Sequence, residues 1–459
     1  MPARHSRSRS PHVFPSQRIF HLAAVSCVVI MVGAHSAFAS AARPNVLVIS
    51  VDTLRSDRLS SYGYGRPTTP AIDSLLRSGV RFANARTVEP LTGPAMASML
   101  TSRYPHDHGM TRNALKIRPG LSSVSKLLRR NGYITTAFVS NWTLARDVSG
   151  LHEHFHLYEE VLTRKRWLGM FKEEAEAEDV TEAVVTWLGD QKSGDQPWFA
   201  WAHYTDPHAP YQFRSEFADQ LGLPRSASRH SQSDRYDTEI AATDAAIGRL
   251  LEFIKWGIDD ETLIIFTADH GENFGEHGAW GHGRHLWEDA VRIPFGITWK
   301  GRVKPRVIAE AARIIDIAPT ILGLLDIEAP SVFMGHDWSD VLTAGAPAPQ
   351  LITFMQAHRG AVLPGRNPDG AREKGLLEVA VIEGNVKTFW IPRSRRVLAF
   401  NLATDPREML DIGASASEAS TVLDSWMADV SQKLRRQAEL PAALDSEAIE
   451  KLRALGYLQ

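Results

Sequence analysis

Asn45-Val46-Leu47-Val48-Ile49-Ser50-Val51, followed at once by Asp52, is the stretch from which the fold of this 459-residue chain is read. It is a continuous apolar, largely β-branched run without polar alternation, the pattern of a strand covered on both faces. Similar runs recur at Ile134–Val139, Trp198–His203 and Thr262–Thr267. Between them lie apolar residues at helical spacing, over Ala71–Ser78, Val124–Asn131, Val180–Leu188 and Thr238–Ile254. Strand–helix alternation over about 280 residues predicts a mainly parallel sheet covered by helices. Past residue 345 the pattern changes. Gly345–Gln350 is rich in Ala and Pro, two strand-like stretches follow at Leu377–Ile391 and Arg396–Asn401, and a helix is expected near Ser417–Gln437. The expected division is a main α/β domain over residues 40–345 and a small α+β subdomain, a sheet with a helix, over 346–459. Ser226–Ser233 reads as a polar surface loop.

The composition, 44% hydrophobic and 23% charged, is that of an ordinary globular protein. Residues 1–39 hold four arginines and no acid, so the rest of the chain is more acidic than the formal charge of −2. Such a body offers no basic footprint for nucleic acid. The N-terminal segment itself has the layout of an export signal: a basic region ending at Arg18, an apolar run from Ile19 to Gly33, and Ala37-Phe38-Ala39 as a small-x-small cleavage site. The apolar run falls short of the roughly 20 residues that span a bilayer. Cleavage before Ser40 would leave an exported protein, periplasmic or secreted, with no stable membrane insertion. It would also remove Cys27, the only cysteine, and with it any thiolate nucleophile, thiolate metal site or disulfide. Oligomeric state is not readable.

Chemistry gathers at the ends of the buried runs. Asp52 follows the first, where α/β folds place their ligand-binding groups. Thr267-Ala268-Asp269-His270-Gly271-Glu272 repeats the arrangement with an imidazole beside the carboxylate, a set that suits Zn²⁺, Mn²⁺ or a similar divalent ion. In Leu91-Thr92-Gly93-Pro94-Ala95-Met96 the Gly-Pro pair starts a helix, so Thr92 is expected just outside a helix N-terminus, where an anion is favoured. A threonine there is also a common helix cap. Seven histidines fall between His203 and His285, including His203, His208, His282 and His285. Several at strand ends and in a Gly-rich loop, near two Asp-bearing strand ends, point to a metal and oxyanion site. The residues alone lead to hydrolysis or transfer of an anionic ester by a metal-activated hydroxyl.

The ordered series Arg43-Pro44-Asn45…Asp52, Leu100-Thr101-Ser102-Arg103-Tyr104-Pro105-His106-Asp107-His108-Gly109, Asp206-Pro207-His208-Ala209-Pro210-Tyr211, Asp269-His270-Gly271-Glu272, Trp287-Glu288-Asp289-Ala290-Val291-Arg292-Ile293-Pro294, Asp316-Ile317-Ala318-Pro319-Thr320 and Leu452-Arg453-Ala454-Leu455-Gly456-Tyr457 resembles the sulfatase family of the alkaline phosphatase superfamily. The resemblance spans about residues 43–459 and implies a three-layer α/β/α sandwich with a small C-terminal α+β subdomain. It implies a divalent metal ion (Zn, Mn or Ca) on Asp52, Asp269, His270 and Thr92. Asn113, His208 and His282 would bind the substrate oxyanion, with His208 and His282 a second metal site in two-metal relatives. The implied partner is a small-molecule, lipid or glycan anionic ester.

Thr92 stands where sulfatases carry the cysteine oxidised to formylglycine. Oxidised threonine would be a methyl ketone, which hydrates poorly, so Thr92 acts as a plain hydroxyl or not at all. Met96 replaces an arginine, Val139-Ser140-Asn141 replaces a lysine-containing segment, and Ala95-Met96 replaces a Ser-His pair of many relatives. Threonine-nucleophile members of the superfamily work on phosphate esters, so the expected activity is a phosphodiesterase or phosphotransferase using Thr92. The alternatives are a sulfuric ester hydrolase working without formylglycine, and a silent binding protein on the same scaffold.

Overall fold

The structure, a computed structural model, describes residues 43–413 apart from 167–170, 192–195, 227–229, 258–261, 359–374, 393 and 395, and beyond them 422–428, 446 and 449–450. The signal-like segment with Cys27 and Ser40, and the closing 452–457 motif, lie outside the described residues.

Eight strands form the central sheet: β1 Val46–Val51, β2 Val80–Arg86, β3 Ile134–Val139, β4 Leu157–Glu160, β5 Trp198–Tyr204, β6 Leu263–Ala268, β7 Arg292–Thr298 and β8 Arg306–Arg313. Their order is β8-β2-β7-β6-β1-β5-β3-β4. Only β7 runs against its neighbours; the other pairings are parallel. β1 is at the centre and buried along its whole length, as its apolar run requires. Helices α1 Pro70–Ser78, α4 Ala177–Gln191 and α5 Gln232–Gly257 pack together, and α2 Thr92–Thr101, α3 Val124–Arg130 and α6 Ile317–Leu324 form a second group. The result is the expected sandwich of helices around a sheet. A four-stranded antiparallel sheet follows, β9 Thr353–His358, β10 Leu376–Glu383, β11 Val386–Ile391 and β12 Arg396–Asn401. Its apolar side, with Met355, Ala380, Ile382, Phe389 and Phe400, closes over Leu286 and Val291. Of the helix expected at Ser417–Gln437, residues 422–428 are described and are helical.

Two expectations need correction. The sheet contains β2, β4, β7 and β8, and the small sheet contains β9, none of which the apolar runs announced. β2 alternates buried and half-exposed positions and β8 is an exposed edge, so neither carries an unbroken apolar run. The helix expected from Thr238 begins at Gln232, inside the segment expected to be loop. Ser231 Oγ accepts Asp234 N at 3.1 Å while Asp234 Oδ2 accepts Ser231 N at 3.1 Å, a reciprocal cap that fixes the earlier start.

Candidate functional site

Register places the chemistry. Val51 lies opposite Tyr204 on β5 and Ala268 on β6, so the next residues, Asp52, Thr205 and Asp269, leave the sheet at one level. Asp52, Asp269 and His270 are all fully buried, and each offers one ligand atom within 4.8 Å of the others. Each also has one polar atom committed elsewhere. Asp269 Oδ1 accepts Thr53 N at 3.0 Å and His270 N at 2.7 Å. Asp52 Oδ2 accepts Asn141 Nδ2 at 2.5 Å. His270 Nδ1 donates to Gly271 O at 2.9 Å. What remains is Asp52 Oδ1, Asp269 Oδ2 and His270 Nε2, and the two carboxylate oxygens are buried without a hydrogen bond.

Electrostatics says what belongs among them. Burial and then the Asp52 charge push the Asp269 carboxyl well above its ordinary value. Burial would do the same to Asp52, but the nearby His203 and then the charge of His208 hold it well below. Burial, then the His282 charge, lower His270 to about 3, leaving a neutral imidazole. Two apposed buried carboxylates and a neutral imidazole with Nε2 turned to them fit a divalent cation, which removes the cost of the unpaired charge.

Thr92 is the first residue of α2, one position inside the helix where the sequence put it just outside; Leu91 is the cap residue and gives no side-chain bond. Thr92 Oγ1 lies 3.5 Å from both Asp52 Oδ2 and His270 Nε2. Asn113 Oδ1 accepts Gly93 N at 3.0 Å, which anchors the amide beside Thr92, and Asn113 Nδ2 is buried with no hydrogen bond. Met96 is fully buried.

His208 and His282 complete the group. Their ring centroids are 5.3 Å apart, and His282 is 4.4 Å from His270. His208 Nδ1 faces Glu174 Oε1 at 3.3 Å, and His282 Nδ1 faces Glu272 Oε1 at 3.2 Å. Burial would lower His208, but Glu174 and then the Asp52 charge push it up to about 9. Burial would raise Glu272, yet His282 and Tyr211 hold it below its usual range. Sequence reasoning missed Asn141, Glu174, Glu272 and the role of His203; only the position of Asn141 just past β3 hinted at the first. The remaining histidines of the cluster go elsewhere: His230 stacks on Phe213, His277 on Trp287, and His285 pairs with Glu378 on β10.

A family model described as Sulfatase matches residues 44–327. An ulvan-active sulfatase of Formosa agariphila is 27% identical over 337 residues, and that match covers 65% of this chain and 65% of the relative. An N-acetylglucosamine-6-O-sulfatase of Bacteroides thetaiotaomicron is 24% identical over 400 residues, covering 65% of this chain and 71% of the relative. The fold matches a phosphonate monoester hydrolase of Agrobacterium radiobacter with a TM-score of 0.64 at 21% identity, over 88% of this chain and 99% of that one.

Proposed function

This chain belongs to the sulfatase family, and from that premise we propose that it is a metal-dependent phosphodiesterase or phosphotransferase with Thr92 as nucleophile. The observation that carries the reading is the position of the Thr92 hydroxyl, at the start of a buried helix and 3.5 Å from two of the three candidate cation ligands. Asp52, Asp269 and His270 would hold a divalent cation, which would supply charge neutralisation and lower the pKa of a hydroxyl beside it. Thr92 Oγ1 forms the bond to phosphorus as the ester alcohol leaves, and water or a second alcohol then displaces Thr92. The α2 N-terminus favours the anion in both steps. Asn113 Nδ2, His208 and His282 hold the non-bridging oxygens, where charge accumulates.

The charge inventory favours a monoanionic ester. Met96 stands where the family resemblance calls for an arginine, Val139-Ser140-Asn141 replaces a lysine-containing segment, and Asn141 is spent on Asp52. A phosphodiester and a sulfate ester each carry one negative charge and a phosphomonoester about two, so the inventory disfavours the phosphomonoester, and the threonine hydroxyl in place of a formylglycine precursor is what favours the phosphodiester. A second reading, hydrolysis of a sulfate ester without formylglycine, is supported by the names of the curated relatives. A matched panel of p-nitrophenyl phosphodiester, phosphomonoester and sulfate, run on cation-reconstituted protein, tests the choice. The diester should turn over fastest; a dominant sulfatase rate establishes the second reading instead.

A further inference from the structure

The two oxygens of Asp52 have opposite fates. Oδ1 accepts no hydrogen bond, whereas Oδ2 takes Asn141 Nδ2 at 2.5 Å and faces His203 Nε2 at 3.6 Å. Asn141 follows β3 and His203 lies near the end of β5, so both reach Asp52 from strands on one side of β1. The Asn141 amide is not free to flip. Its Oδ1 accepts Thr143 N and Thr143 Oγ1, each at 2.8 Å, which leaves Nδ2 for Asp52.

His203 is fully buried, and its own orientation is set from inside the sheet. Nδ1 lies 2.8 Å from Ser50 Oγ, and Trp201 Nε1 lies 2.8 Å from the same oxygen. An indole N–H can only donate. Ser50 Oγ accepts from Trp201, and His203 Nδ1 is the one acceptor within reach of its own hydrogen among the described residues, so the hydroxyl gives that hydrogen to His203 Nδ1. An imidazole whose Nδ1 accepts carries its proton on Nε2. That nitrogen is the one turned to Asp52 Oδ2.

We propose that Asn141 and the Trp201–Ser50–His203 line are positioning residues for the cation site, which occupy Asp52 Oδ2 and leave Oδ1 as its one ligating atom. The proposal rests on the metal centre of the preceding section and extends it to residues that touch neither cation nor substrate. Partners of this kind fix the direction and basicity of a ligand, and their loss weakens metal affinity by about 10–100-fold. A packing role alone would lower the stability of the apo fold and leave the affinity of folded protein unchanged.

The test is calorimetric titration of chelator-stripped protein with Mn²⁺, with the apo melting temperature measured alongside. His203→Leu and Asn141→Leu should each weaken Mn²⁺ binding by about 10-fold or more, and Ser50→Ala, which releases only the tautomer, by less. His203→Gln keeps an N–H near the position of Nε2 and should restore most of the affinity lost in His203→Leu. Leucine variants that bind Mn²⁺ as tightly as wild type, or a glutamine variant as weak as the leucine one, overturn the proposal. Should His203→Leu not fold, Ser50→Ala and His203→Gln decide the matter between them: wild-type affinity in Ser50→Ala overturns the relay. Wild-type protein that binds none of Mn²⁺, Zn²⁺ or Ca²⁺ overturns the metal centre itself, and this proposal with it.

Discussion

Replacing Lys387 by methionine should destabilise the protein, and by an amount that grows with pH. Lys387 sits on β11 with no exposure at all, its Nζ 2.9 Å from Glu288 Oε1 and 2.8 Å from Glu408 Oε1. Arg86 on β2 holds the other Glu288 oxygen at 2.8 Å, so the four charges tie the small sheet to the central one. Methionine fills the same volume without the charge. Breaking a buried ion pair from one side typically costs about 3–5 kcal/mol because the partner stays behind uncompensated. Here the cost is divided. Glu288 keeps Arg86, but Glu408 loses its ammonium partner and must either remain charged in the interior or take up a proton. Burial already pushes Glu408 up to about 7, with Lys387 pulling it down and Glu288 pushing it further up. A carboxyl raised above its ordinary 4.5 binds a proton in the folded state that the unfolded chain has released. Its contribution is therefore full below about pH 4.5 and is lost as pH rises through the folded value. Removing the ammonium moves that folded value higher, so the variant loses more on the alkaline side than wild type does. The destabilisation should approach about 3 kcal/mol at pH 8.5 and be clearly smaller at pH 6. Urea unfolding followed by tryptophan fluorescence at the two pH values reads both quantities. A loss below about 1 kcal/mol at pH 8.5, or one independent of pH, refutes the assignment of Lys387 as the cation of this cluster.

Three further outcomes are expected, two from the site and one from the N-terminal segment. Asp269→Asn should lose bound cation and activity together, since it halves the charge of the buried carboxylate pair; elemental analysis showing full occupancy with normal turnover contradicts the ligand assignment. His208→Ala and Asn113→Ala should each keep the fold and lose about 2.7–4 kcal/mol of transition-state stabilisation, read from kcat/KM. Near-normal rates in both would remove them from the oxyanion site. Export through residues 1–39 should give a mature protein starting near Ser40 by intact mass, and an uncleaved N-terminus on membrane material contradicts it.

The parts legible in the sequence are those whose physics is local. β1, β3, β5 and β6 occupy neighbouring central positions, so their apolar runs declare them, and Asp52 and Asp269 become conspicuous because each interrupts such a run at its end. β8 has an exposed edge, β2 carries Arg81, Ala83 and Asn84 on its half-exposed positions, and β7 is interrupted by Pro294, so each of these lacks the unbroken pattern. Within the site, Thr92 was legible from the Gly93-Pro94 helix start and His208 and His282 from the histidine cluster, whereas Asn113 and the separate roles of these groups were reachable only through the ordered resemblance. Asn141 and His203 were not reachable as partners of Asp52. Their relation to it is a hydrogen bond or ion contact across 89 and 151 positions, which exists only once strand order sets β3 and β5 beside β1. Glu174 and Glu272 were missed for a similar reason: a carboxylate that orients a histidine looks, in sequence, like any other acid.

Whether Thr92 is the nucleophile decides the account. Wild-type protein, loaded with cation and quenched during turnover of a slow phosphodiester, should carry a phosphoryl adduct on the tryptic peptide spanning residues 87–103, localised by fragmentation to Thr92 and absent from Thr92→Ala. An alanine variant that turns over at the wild-type rate, with no adduct on that peptide in either protein, would contradict it and leave Thr92 as a residue of the helix start alone.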